Sequence, residues 1–75
     1  MSANATLERH AATVTTKLKR DHDLKSGIHF EVVGETKPGG KFHIIINKKK
    51  GGWSSEYTAT VHDAATRGGF TYEIK

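Results

Sequence analysis

The chain has 75 residues, of which 35% are hydrophobic and 27% charged, so it has room for one small core. It has no cysteine, which excludes disulfide scaffolds, thiol catalysis and cysteine-bearing zinc sites. The formal net charge is +4 with histidine neutral, and the stretch between Thr36 and Ser55 contains lysines but no acid. The lysines of that stretch are Lys37, Lys41, Lys48, Lys49 and Lys50.

No stretch approaches the roughly 20 consecutive apolar residues of a membrane span. Residues 1–6 lack the basic start and apolar run that are typical of a signal peptide. We therefore expect a cytoplasmic protein without membrane contact, in which residues 1–75 form a single α+β domain.

The first predicted element is a helix over residues 4 to about 23. Its apolar residues have the i, i+4, i+7, i+11 spacing of one helical stripe. They are Leu7, Ala11, Val14 and Leu18. The β-branched run at residues 13–16 loses rotamer freedom in a helix and also fits a strand. Residues 12–19 thus remain open between helix and strand.

After Gly27 the hydrophobic period changes to two, which predicts strands at residues 28–33, 42–47, 53–61 and 70–74. Pro38-Gly39-Gly40 indicates a tight turn, and Gly51-Gly52 indicates a two-residue hairpin. The predicted fold is α+β, with one N-terminal helix packed on a four-stranded antiparallel sheet. If residues 14–18 form a strand, the alternative is a small five-stranded barrel.

The order helix, strand, strand, strand resembles the first two-thirds of a double-stranded-RNA-binding domain. The segments that carry the resemblance are Phe-Glu-Val-Val-Gly-Glu at residues 30–35 and Lys-Phe-His-Ile-Ile-Ile at residues 41–46. The second helix of that family starts with a Lys-Lys pair, whereas residues 63–69 of this chain are Asp-Ala-Ala-Thr-Arg-Gly-Gly. No residue role is therefore carried over from that family.

The lysine-rich segment before Trp53 is the first candidate site. Ammonium groups displace the counterions condensed on a phosphate backbone, and an indole ring can stack on a base. A solvated turn that keeps a small protein soluble has the same composition. We predict a non-enzymatic module that contacts nucleic acid through a lysine-rich β-hairpin. The predicted contacts are Lys37, Lys41, Lys48, Lys49, Lys50 and Trp53.

The alternative function is a protein-binding regulator or inhibitor that acts through the outer sheet face or a sheet edge, with a homodimer as one form of it. Val33 and Ile45 are apolar residues on an otherwise polar sheet face. Such a spot is typical of a partner surface or reflects simple β-propensity. The predicted partner-binding residues are Val33, His43, Ile45 and Thr58.

No catalytic or metal site is predicted. The five histidines show no ligand pair at i, i+2 in a strand or i, i+4 in a helix, and no serine lies in a nucleophile elbow. The Gly-Gly pairs fall between predicted strands, where no helix N-terminus can receive an anion. We therefore expect no enzymatic activity, no cofactor and no small-molecule substrate.

Overall fold

The structure is a computed structural model that describes residues 3–49 and 51–75. Its elements are α1 (Ala3–His22), β1 (Phe30–Lys37), β2 (Lys41–Lys48), α2 (Ser55–Gly68) and β3 (Thr71–Ile74). The α+β class is confirmed. The sheet has three strands in the order β1-β2-β3, and α1 packs against β1 and α2.

Helix α1 is the element that the apolar stripe predicts. Val14 and Leu18 are buried, and the two earlier residues of the stripe pack partly buried against the core. The β-branched run is accommodated because the hydroxyls of Thr13 and Thr15 donate to carbonyls one turn earlier, each at 2.9 Å. Residues 12–19 are therefore helical, and the five-stranded barrel is wrong.

β1 and β2 form the predicted antiparallel hairpin. Val33 lies directly opposite Ile45 in its register. The turn closes where the N–H of Gly40 donates to the carbonyl of Lys37 at 3.2 Å. Gly39 and Gly40 have φ values of 86° and 76°, which side chains disfavour, so this turn requires its two glycines.

The predicted third strand and its two-residue hairpin are wrong, because residues 55–68 form α2. Ser54 is the N-cap of this helix, and its side chain accepts the backbone N–H of Glu56. Gly69 is the C-cap, with φ 73°, and its N–H donates to the carbonyl of Ala65.

The apolar pattern of this segment fits a helix better than a strand. Val61, Ala64 and Ala65 have the i, i+3, i+4 spacing of a helical face, and all three are buried. The period of two that favoured a strand included Ser55 and Ala59, which are exposed. Small residues fit either period, so they cannot identify a buried face.

Because α2 is a crossover helix between them, β2 and β3 pair in parallel. Ile44 lies opposite Tyr72, and Ile46 lies opposite Ile74. A three-stranded mixed sheet thus replaces the predicted four-stranded antiparallel one. The second helix precedes the third strand, so the element order on which the resemblance to the RNA-binding domain depends is also absent.

The core lies between the two helices and one face of the sheet. Its buried residues are Val14, Leu18, Phe30, Ile44, Ile46, Val61, Ala64, Ala65 and Phe70. The opposite face, which we call the outer face, is not covered by any described element. Its side chains alternate with the core residues along each strand. They are Glu31, Val33, Glu35, Lys37, Lys41, His43, Ile45, Asn47, Thr71 and Glu73.

Neither of the described helices combines the length and the apolar character that crossing a membrane requires.

Candidate functional site

The lysine-rich segment forms the connection from β2 to α2, and we call residues 48–54 the basic loop. Lys48 is the last residue of β2, and Lys50 lies outside the described residues. The loop runs from the carboxyl end of a strand to the N-terminus of a helix that Ser54 caps. The expectation that the Gly51-Gly52 pair has no helix N-terminus nearby is therefore wrong, and the helix dipole adds to the positive potential here.

Two of the predicted nucleic-acid contacts have acidic neighbours in the chain. The Nζ atom of Lys49 lies 3.8 Å from Oε2 of Glu31, and Nζ of Lys37 lies 3.5 Å from Oε1 of Glu35. All four side chains are at least 42% exposed, so each pair contributes little to stability. The glutamates nevertheless reduce the positive potential that a phosphate would meet.

The predicted lysines also lie at two ends of the sheet. Lys37 and Lys41 are cross-strand partners beside the hairpin turn, whereas Lys48 and Lys49 lie at the far end of β2. At roughly 3.3 Å per residue, seven steps along β2 place the two groups about 23 Å apart. They form separate clusters with glutamates between them, and no continuous basic track joins the lysines that the structure describes.

Trp53 is engaged in the fold. Its Nε1–H donates to the hydroxyl of Thr58 at 2.8 Å, and its ring meets that of Tyr57 edge to face at 5.3 Å. With Leu24 and His29 these rings line a cavity of about 210 Å³. Thr58, predicted on the outer face, lies instead on α2, where it anchors the basic loop through this bond.

The outer face carries an apolar pair at its centre. Val33 is 45% exposed and lies directly opposite Ile45, which is partly exposed. The hairpin register therefore brings together two of the predicted partner-binding residues. Apolar side chains that meet on an uncovered sheet face offer surface that a partner can remove from water.

His43 is held in place beside this pair. Nδ1 of His43 forms a hydrogen bond of 2.7 Å with the hydroxyl of Thr71, which also lies 3.3 Å from the carbonyl oxygen of Phe42. Nε2 lies 3.9 Å from Oε1 of Glu73 and forms an ion pair with it when the ring is protonated. His43 thus links β2 to β3 at the rim of the apolar pair. Within the described part of the chain, no three His, Asp or Glu side chains form a group that could hold a metal.

The backbone groups at the free edge of β1 are a further candidate; the sequence predicted a sheet edge as a partner surface but did not identify this strand. The N–H of Lys49 donates to the carbonyl of His29 at 3.1 Å, which fixes the alternation of the antiparallel ladder. By this alternation the odd-numbered residues of β1 exchange hydrogen bonds with β2. The N–H and C=O groups of the even-numbered residues Val32, Gly34 and Thr36 point away from β2, and we call this row the β1 edge.

A groove of about 400 Å³ follows the β1 edge on its inner side, between the strand and α1. Its walls include Leu7, Ala11 and Val32. Gly34 lets the helix approach, since a Cβ built at this position would lie 2.7 Å from Cγ of Leu7. The groove and the β1 edge are therefore parts of one continuous surface.

Comparison of the chain with known protein families, curated proteins and solved structures found no match. The functional conclusion therefore depends on the geometry of the two regions.

Proposed function

We propose that this protein is a non-enzymatic protein-binding module that binds its partner through β1. The observation that carries the proposal is the position of the exposed Val33, opposite the partly exposed Ile45, beside the β1 edge. Among the described residues, no backbone group outside the sheet pairs with Val32, Gly34 or Thr36. An added strand would form hydrogen bonds with these main-chain groups. Its side chains would lie alternately on the inner and outer faces of the sheet.

The side chains of the β1 edge support the proposal. Natural edge strands commonly carry inward-pointing charges, bulges or proline that prevent pairing with another chain. The inward-pointing residues along β1 are Phe30, Val32, Gly34 and Thr36, none of which is charged. The register of β1 with β2 runs without a bulge over its whole length. β1 therefore has no inward-pointing charge, bulge or proline, and its charged side chains, Glu31, Glu35 and Lys37, all lie on the outer face.

The second candidate function is contact with nucleic acid through the basic loop. Lys48, Lys49 and Lys50 come just before the N-terminus of α2, where the helix dipole also favours a phosphate. The separation of Lys37 and Lys41 from this loop favours protein binding over a nucleic-acid track.

A photo-cross-linking amino acid tests the proposal when it replaces Val33, with the exposed Thr13 on α1 as the matched control position. In a nuclease-treated cell extract, we expect a protein adduct from position 33 and none from position 13. Excess wild-type chain should compete for an adduct with a different protein, whereas Val33→Lys should compete at least tenfold less well, since a charge replaces the apolar contact. An adduct between two copies of the chain should instead persist in excess wild-type chain. Equal adducts from both positions, or equal competition by both proteins, would contradict protein binding through β1.

A further inference from the structure

We infer that the partner at the β1 edge is a second copy of this chain, and that the two β1 strands pair antiparallel about a two-fold axis at Gly34. This inference rests on the proposed function and identifies the partner that binds at β1. A closed two-fold dimer uses the same surface on both copies. The pairing joins the two sheets into one continuous sheet with the helices on the same side.

Hydrogen bonding selects this register. With Gly34 opposite Gly34 of the second copy, Val32 lies opposite Thr36 of the second copy, and the reverse pair forms by symmetry. Each of these residues points its N–H and C=O outward, so each pair exchanges two hydrogen bonds. Every backbone group of the β1 edge thereby gains a partner.

The neighbouring registers leave some of these groups without partners. Residues that oppose one another must lie on the same face of the sheet. Each neighbouring register therefore shifts one strand by two residues. One step in one direction places Thr36 opposite Phe30 of the second copy, whose carbonyl already accepts the N–H of Gly27 at 2.7 Å. One step in the other direction places Val32 opposite Pro38, which has no N–H to donate.

The charges on the outer face select the same register independently. Pairing about Gly34 places Glu31 opposite Lys37 of the second copy, and Lys37 opposite Glu31. The first neighbouring register places Glu31 opposite Glu35, and the second places Glu35 opposite its own copy. Opposite charges across a strand pair stabilise it, and like charges destabilise it. Only the register centred on Gly34 is favourable by both criteria.

The apolar residues suit this arrangement on both faces. On the outer face the Val33 side chains of the two copies become diagonal neighbours, each flanked by its own Ile45. On the inner face, the second copy brings Val32 and Thr36 to the groove beside α1. These uncharged side chains would contact Leu7, Ala11 and Val32 in a groove that Glu8 also lines. Dimerisation thus covers apolar surface that the single chain exposes.

Sedimentation velocity over a range of concentrations tests the inference on the intact chain. We expect a monomer–dimer equilibrium for the wild type. Glu31→Lys and Lys37→Glu each place like charges opposite one another twice, so each should raise the dissociation constant roughly tenfold. The double variant restores opposite charges and should regain the wild-type constant. Lys41→Glu is the matched control, because Lys41 lies on the same face but on the central strand.

Thr36→Pro provides a second test that does not depend on charge. The N–H of Thr36 faces the β1 edge, so proline in both copies removes two hydrogen bonds of the dimer and none of the ladder with β2. We expect circular dichroism to show that the variant is folded. Sedimentation velocity should show at least a tenfold increase in its dissociation constant. A dimer that persists in Thr36→Pro and in Lys37→Glu would overturn pairing at β1.

The outcome for the wild type separates this inference from the proposed function. A wild-type chain that stays monomeric at all concentrations would overturn the second copy as the partner. If position 33 then still cross-links to another protein, protein binding through β1 stands without the dimer. If neither a dimer nor an adduct forms, both proposals fail.

Discussion

The basic loop and the β1 edge differ in how much of their chemistry the fold itself already uses. In the basic loop, the indole of Trp53 bonds to Thr58, the side chain of Ser54 caps α2, and Lys49 has Glu31 beside it. Along the β1 edge, backbone groups face outward next to an exposed Val33. A conspicuous composition therefore does not by itself mark a binding surface. Groups that the fold leaves unsatisfied are the stronger indication of one.

The largest effect is expected from Leu18→Asp, which should disrupt both regions at once. Leu18 is fully buried in α1, which packs against both β1 and α2. A carboxylate at this position would be buried without a partner, at a cost of several kcal/mol, against a total stability of about 5–15 kcal/mol. We expect Leu18→Asp to be unfolded or nearly so in a thermal melt, while the exposed Lys19→Asp melts close to the wild type. Near-wild-type melting of Leu18→Asp would contradict the packing of α1.

A smaller effect should weaken the basic loop without changing the β1 edge. The side chain of Ser54 accepts the N–H of Glu56 at 3.1 Å, and loss of such a cap typically costs about 1 kcal/mol. We expect Ser54→Ala to lose about this amount of stability in urea unfolding, with self-association unchanged. Ser55→Ala is the control, since Ser55 is exposed at the first position of α2. An equal loss in both variants would show that the cap does not hold the loop.

The smallest effect on stability is expected from substitutions of the lysines in the basic loop. Replacing Lys48, Lys49 and Lys50 together by Gln removes three charges, of which those of Lys48 and Lys49 are exposed, and should change stability by less than about 0.5 kcal/mol. If the loop contacts phosphates, the log–log salt slope of oligonucleotide binding should flatten by roughly two to three.

The control for this triple variant changes the basic end of α1. Replacing Lys17, Lys19 and Arg20 by Gln removes equal charge, but Asp21 already lies 3.4 Å from Arg20. A smaller change in slope is therefore expected. No binding by the wild type at low salt would eliminate the nucleic-acid candidate. Loss of the dimer in the lysine triple variant would instead remove the contrast between the two regions.

Local patterns predicted part of the fold. The stripe of α1 and the turn between β1 and β2 are local signals, and both elements formed as expected. The strand predicted at residues 53–61 is wrong because Ser55 and Ala59 satisfy a period of two without forming an apolar face. Once this segment is a helix, β3 must run parallel to β2, so one wrong element changed the whole sheet topology.

The candidate site was predictable to the same extent. The adjacency of Val33 and Ile45 follows from alternation and a short hairpin. The position of the β1 edge does not follow from such local signals. The order of all strands decides which strand lies at an edge of the sheet. The wrong position of Thr58 has the same origin as the wrong third strand, since both followed from taking α2 as a strand.

Amide hydrogen exchange followed by NMR tests the role of β1 most directly. In dilute protein, the N–H groups of Glu31, Val33 and Glu35 should exchange slowly because they bond to β2, whereas those of Val32, Gly34 and Thr36 should exchange fast. At high concentration the second set should also become protected, while the first set stays protected. If Val32, Gly34 and Thr36 exchange fast at every concentration, the β1 edge does not pair with a second copy.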